Sequence, residues 1–314
     1  MIFGRPALGL VALVASTGCV KQMMVDGQIE ATREASAAFD TLTDFEVAYA
    51  GAASALAQFE GMRSLSPDNE DALFLLAKGW TGFAYGFIED ELERAEDAAE
   101  RDLAEHHKRR AVAAYDRAIT YGTMLLDLRA EGFVAARTNE PELRSWLNES
   151  FTDPEDAQNL FWLGYAWVSR TNLLKDDAEA VASVWVGVQL LERSMAIDPS
   201  YNHSSAKVVL AAFHARSAVA ELDEAKRMFD ELVKERAGQF LLSKFQYAAK
   251  YACAKADGAL YKRLLEEIVA AEDFPPELRL MNTLAQRRAR RWLGEQRMFD
   301  ACGIEAPGGS ENAT

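Results

Sequence analysis

Proline is scarce in this chain, at eight of 314 residues, and several of the eight fall between periodic segments, so little interrupts long helices. Runs of alternating β-branched residues bounded by turns are missing as well, which argues against a sheet. There are four histidines, His106, His107, His203 and His214, and no two stand at the i, i+4 spacing that puts two metal ligands on one helix face. The three cysteines, Cys19, Cys253 and Cys302, show no metal-binding spacing either. A glycine-rich phosphate loop and a GxSxG elbow are absent, and no cysteine has a plausible base, so nucleotide and acyl-transfer chemistry lack their residues. Lys and Arg number 34 against 49 Asp and Glu, a formal charge of −15. That balance argues against a nucleic-acid partner, which rewards basic surfaces, and gives no attraction to an anionic membrane. The expectation is a non-enzymatic protein with no metal or cofactor.

What is present begins with an export pattern. The apolar run 7–15 is too short for a membrane-spanning helix, which needs about 20 residues. It follows a single Arg5 and precedes Ser16-Thr17-Gly18-Cys19, the layout of a secretory signal. The small-small-Cys ending is that of a bacterial lipobox, although Ser16 stands where Leu is usual. Residues 1–18 are therefore read as a lipoprotein signal peptide and Cys19 as the lipidated first residue of the mature chain; a plain signal cut near Ala15 is the alternative. Val20, rather than Asp, after the cysteine points to the outer membrane. Both readings put the protein in the periplasm, with the lipid as the membrane tether in the first. Cys253 and Cys302 can pair in that oxidising compartment, but both sit in helical patterns 49 residues apart, and buried free thiols are the simpler reading.

Apolar residues make up 49% of the chain, enough for a packed core. Residues 19–43 are polar and Ala-rich and read as anchor and tether or a frayed helix, 44–302 as a helical domain, and 303–314 as a disordered tail. Helices are expected near 44–66, 70–87, 106–128, 141–148, 155–172, 177–197, 202–219, 222–236, 240–255, 257–271 and 276–300. A repeat runs through them. Ala55, Phe59, Met62 and Pro67 stand at offsets 0, 4, 7 and 12, and Gly187, Leu191, Ser194 and Pro199 repeat those offsets. Ala111, Tyr115 and Ala118 match the first three, as do Ala225, Phe229 and Leu232. A small residue, a large one and a helix stop, recurring in order, mark tetratricopeptide-like hairpins. Ala77 and Gly164 occupy the place where a partner helix comes close. The fold class is thus all-α, with helical-hairpin repeats stacked into one curved domain.

Two aromatic clusters stand out. Trp80, Phe83 and Phe87 share one helix face beside Gly79, Gly82 and Gly86, and the segment containing Trp162 and Trp167 is apolar all round. Core packing is the plain reading; lining a groove or cavity for an apolar ligand or partner segment is the functional one, with these five as candidates. The acidic stretch 89–105, ending on His106-His107-Lys108-Arg109-Arg110, suits a helical hairpin or one long exposed helix and reads as a solvated face, with a docking arm as the alternative. Arg287, Arg288, Arg290 and Arg291 are expected to pair with nearby carboxylates.

Over residues 44–299 the chain resembles the T-component lipoproteins of TRAP transporters, the tripartite ATP-independent periplasmic importers. The segments that carry the resemblance include Ser66-Pro67-Asp68-Asn69, Gly79-Trp80-Thr81-Gly82-Phe83-Ala84-Tyr85-Gly86-Phe87, Leu160-Phe161-Trp162-Leu163-Gly164-Tyr165-Ala166-Trp167 and Met195-Ala196-Ile197-Asp198-Pro199-Ser200-Tyr201. The resemblance implies a homo-oligomeric lipoprotein, a trimer, with a central apolar cavity or pore that docks the transporter's periplasmic solute-binding protein and can hold an apolar ligand. A scaffold lipoprotein for envelope or outer-membrane assembly is the alternative function. The chain departs from the family pattern in two places: 216–223 lacks the usual Pro and Gly-Gly, and Ser204 replaces the glycine that usually follows the position of His203.

Overall fold

A computed structural model describes residues 8–216 and 221–305, with side chains from Val20 onward, Arg236 and Ala237 excepted. The expected signal residues 1–7, the tail 306–314 and positions 217–220 of the departing loop lie outside the described residues, as does the Cys19 side chain.

Every described element is a helix, and no strand occurs among the described residues. The α-helices in chain order are α1 (Leu8–Ala35), α2 (Phe45–Leu65), α3 (Glu70–Phe83), α4 (Glu89–Asp97), α5 (Arg101–Arg129), α6 (Phe133–Ala136), α7 (Glu140–Ser150) and α8 (Ala157–Leu173). They continue as α9 (Ala178–Ala182), α10 (Val184–Ile197), α11 (Tyr201–His214), α12 (Leu222–Lys234), α13 (Leu241–Gln246), α14 (Gly258–Ala270), α15 (Arg279–Trp292) and α16 (Glu295–Cys302). Starts are set by side-chain caps. Asp44 accepts from the backbone amides of Glu46 and Val47, and Asn69 accepts from Ala72, each satisfying donors that the first turn leaves free. Asp177 and Asp257 do the same for α9 and α14.

Hairpins α3/α5, α8/α10 and α11/α12 pack in sequence, with α13/α14 and α15 completing the stack. The tightest crossing is between α8 and α10. A Cβ on Gly164 would lie 2.9 Å from the carbonyl oxygen of Gly187, and one on Gly187 would lie 2.8 Å from Cβ of Trp167. Backbones that close leave room only for hydrogen at Cα, which is why the small positions of the repeat are glycines here. Ala77, Ala111, Ala225 and Phe229, all repeat positions, are fully or almost fully buried.

Three features differ from expectation. Residues 20–41 are packed rather than a free tether: Ile29 is buried, Arg33 pairs with Asp71, and Asp26 accepts from Ser66 and Asn69. A chain that buries an isoleucine and satisfies its charges locally has reason to stay on the domain. Residues 89–105 form the hairpin option, turning at Ala99, but α4 is not a solvated face: Asp90 is buried and Glu93 nearly so. Cys253 and Cys302 are joined in a disulfide, with Cα atoms 4.7 Å apart, not free thiols. One described helical run, Ala178–Ile197, is long and apolar enough to cross a membrane; here it packs against α8 and α11.

Candidate functional site

The first helix of each hairpin faces inward, and together α3, α8, α11, α13 and α15 enclose a cavity of about 250 Å³. The outer helices α5, α10, α12 and α14 contribute no lining residue. The ring is closed where the two ends of the helical region meet: the 3₁₀ segment Ser36–Thr41 packs beside Pro276–Leu278 and α15, and Asp40 reaches the cavity at 4.0 Å from Lys78. Most of the wall is apolar, including Val168, Val208, Leu242, Phe245, Met281 and Leu284.

Two π-helical turns face this space. Ala84–Ile88 separates α3 from α4, and Tyr247–Ala252 follows α13. A π turn carries one extra residue, swings its side chains off the α register and recurs at functional sites. The first brings Tyr85, Gly86 and the following Glu89 to the cavity; the second brings Ala249 and Lys250. Gln246 Nε2 donates to the Tyr85 hydroxyl at 2.8 Å, tying the two turns together. Burial raises the pKa of Tyr85 and, more strongly, of Tyr165, so both stay hydroxyl donors.

Behind the first turn, α4 and α15 form a charged seam. Arg288 Nη2 lies 2.8 Å from Glu93 and 3.4 Å from Glu89; Arg291 Nη2 lies 2.7 Å from Asp90 and 2.5 Å from Glu93; Arg287 Nε lies 2.8 Å from Asp90. Burial would raise the Glu93 carboxyl, but the guanidinium groups of Arg288 and Arg291 outweigh it and hold its pKa at about 2. Glu89 goes the other way, raised by burial although Arg288 and the Tyr115 hydroxyl that donates to it oppose the shift. The Arg288 guanidinium also lies over the Tyr85 ring, 4.6 Å from its centroid, so seam and cavity wall are one unit. The expected pairing of these arginines is thus present, with carboxylates about two hundred positions away in the chain.

A third irregularity touches the same cavity. Asn202, His203 and Ser204 hold positive φ values of 46°, 61° and 62°, a left-handed stretch inside α11. Asn202 and His203 line the cavity, and Trp162 donates from Nε1 to Tyr201, next to the stretch, at 2.9 Å. The left-handed region suits glycine, so the usual glycine at the position of Ser204 has a backbone reason.

Of the five aromatic candidates, Trp162 borders the cavity and the other four point elsewhere. Phe83 and Phe87 pack with Phe45 and Tyr49 of α2, ring centroids 5.3–5.7 Å apart, on the far side of α3. Trp80 donates to Glu60 at 3.0 Å beneath Arg117, and Trp167 lies under Arg137 against the α8/α10 crossing. The extra residue of the π turn is the reason for much of this: it rotates Tyr85 and Gly86 inward and leaves Phe87 out. Lys250, which the sequence reading passed over, is a cavity residue. Its one signal is that, between Phe245 and Cys253, it is the sole charge in an apolar run.

No curated protein matches this chain. A family does: residues 41–299 match TAtT, described as the TRAP transporter T-component, which spans most of the chain and both π turns. The chain belongs to the TRAP transporter T-component family.

Proposed function

We propose that this protein is the extracytoplasmic adaptor of a TRAP-type uptake system, docking the solute-binding protein and holding part of a ligand in the ringed cavity. The observation that carries the reading is the cavity itself: five inner helices, two π turns and a left-handed stretch converge on one mostly apolar space in a member of a transporter family. Irregular backbone concentrated on one wall is costly and is retained where a site needs it. Recognition here is by shape and by placed polar groups, without covalent chemistry. Trp162 is retained as the aromatic candidate for ligand contact.

The Cys253–Cys302 pair supports an oxidising compartment, consistent with export and lipid attachment at Cys19 to the outer membrane. A homo-oligomer, by family resemblance a trimer, belongs to the same reading. The test is affinity purification of the full-length tagged protein from its own cells under gentle lysis. Recovery of a TRAP solute-binding protein supports the reading; recovery of barrel-assembly or cell-wall proteins in its place refutes it.

A further inference from the structure

The cavity carries one charge that nothing in its wall matches. The carboxylates of the seam are committed: Glu89, Asp90 and Glu93 meet Arg287, Arg288 and Arg291, three against three, and Glu89 also accepts from Tyr115. At the other side Asp40 stands with Lys78. Glu277, the remaining lining carboxylate, is exposed, where solvent screens it. Lys250 is different. Among the described residues no carboxylate lies within 4.0 Å of its Nζ, and no hydrogen bond engages it.

The surroundings of Lys250 explain why that is unusual. Its neighbours Tyr247, Ala248, Ala249, Tyr251 and Ala252 are all buried, yet Lys250 keeps accessible surface, because the π turn aims it into the cavity. Burial draws its pKa down from the ordinary lysine value, while Glu89 draws it back up at longer range. A cation held deep in a protein is stable when a counter-charge arrives with donors and acceptors to match. A cationic ligand would have to take Glu89 or Glu93 away from Arg288; an anionic one finds Lys250 already waiting.

We propose that the cavity binds a small amphipathic monocarboxylate, its carboxylate on the Lys250 ammonium and its hydrocarbon part against Val168, Val208, Leu242, Phe245 and Leu284. This rests on the reading that the cavity holds a ligand, and adds the ligand's class and the residue that selects it. A volume of about 250 Å³ admits on the order of ten non-hydrogen atoms, the size of an eight-carbon acid. The Tyr165 hydroxyl and the Gln246 amide line the same space and supply further polar partners.

The experiment compares octanoate with octan-1-ol, the same chain without the charge, by calorimetric titration of the full mature protein and of its Lys250→Met and Lys250→Arg variants. Wild type is expected to bind octanoate at least about tenfold more tightly than octan-1-ol, the scale of a charge-assisted hydrogen bond. Lys250→Met loses that preference and keeps or improves binding of octan-1-ol, and Lys250→Arg retains the preference. Equal affinity of wild type for the two probes, binding of neither, or a preference that survives Lys250→Met overturns the proposal. The wild-type comparison stands alone if a variant fails to fold. Capture of the solute-binding protein is read separately, so a protein that captures its partner while ignoring octanoate sinks this inference and leaves the adaptor reading intact.

Discussion

Replacing Glu93 by Gln tests whether the seam between α4 and α15 stabilises the fold through charge. Glu93 accepts from Arg288, Arg291 and the Trp292 indole, and its carboxyl pKa is held at about 2 against an ordinary 4.5. At about 1.4 kcal/mol per tenfold, that gap corresponds to roughly 3 kcal/mol favouring the ionised folded form. The folded pKa lies below the unfolded one, so the contribution is complete above pH 4.5 and is withdrawn as pH falls towards 2. The Gln variant keeps the shape and cannot ionise. Urea unfolding followed by far-ultraviolet circular dichroism is expected to show Glu93→Gln less stable than wild type by about 3 kcal/mol at pH 7, with the difference halved or better by pH 3. Taking the difference cancels the groups common to both proteins, including Glu89, whose shift has the opposite sign. A variant as stable as wild type at pH 7, or a deficit that stays constant down to pH 3, refutes the reasoning.

Three further outcomes follow from backbone geometry and covalent linkage. Gly164→Ala places a methyl 2.9 Å from the Gly187 carbonyl and Leu191, and is expected to cost about 1–3 kcal/mol in urea unfolding; a neutral result would mean that α8 and α10 can part without loss. Ser204→Gly relieves a left-handed residue and is expected to gain about 1 kcal/mol in the same assay, whereas a loss would show that the serine side chain matters more than its φ of 62°. Replacing Cys253 and Cys302 together by Ala removes a link across 49 positions and is expected to cost about 2–4 kcal/mol, with no thiol titratable in unreduced wild type; a thiol that reacts before reduction contradicts the pairing.

Much of the helical order was legible from the residues themselves. Asp44, Asn69 and Asp177 announce helix starts, and the 0-4-7 pattern of small and large residues located the hairpins, because close helix contact demands small side chains wherever it occurs. The cavity was less legible. A π turn has no side-chain signature: Ala84–Ile88 and Tyr247–Ala252 are ordinary helix-forming sequence, and the extra residue comes from how neighbouring helices seat. An α reading of α3 therefore placed Phe83 and Phe87 together and overlooked Tyr85. Lys250 passed for a surface lysine because local pattern does not reveal which helix faces a ring interior. Residues 20–41 look polar enough to hang free, and only the folded domain supplies Ser66, Asn69 and Asp71 as partners.

The doubled π geometry also limits what insertion and deletion can do to this protein. Each wide turn offsets everything downstream on its helix by close to 100°, one residue's worth of rotation. Excising a single alanine from Ala84–Ile88 would restore ideal winding and at the same stroke spin Glu89, Asp90 and Glu93 away from the arginines of α15, trading a relaxed backbone for stranded charges. A lineage that acquired both the offset and the facing arginines is held in that phase, since neither can be undone without the other.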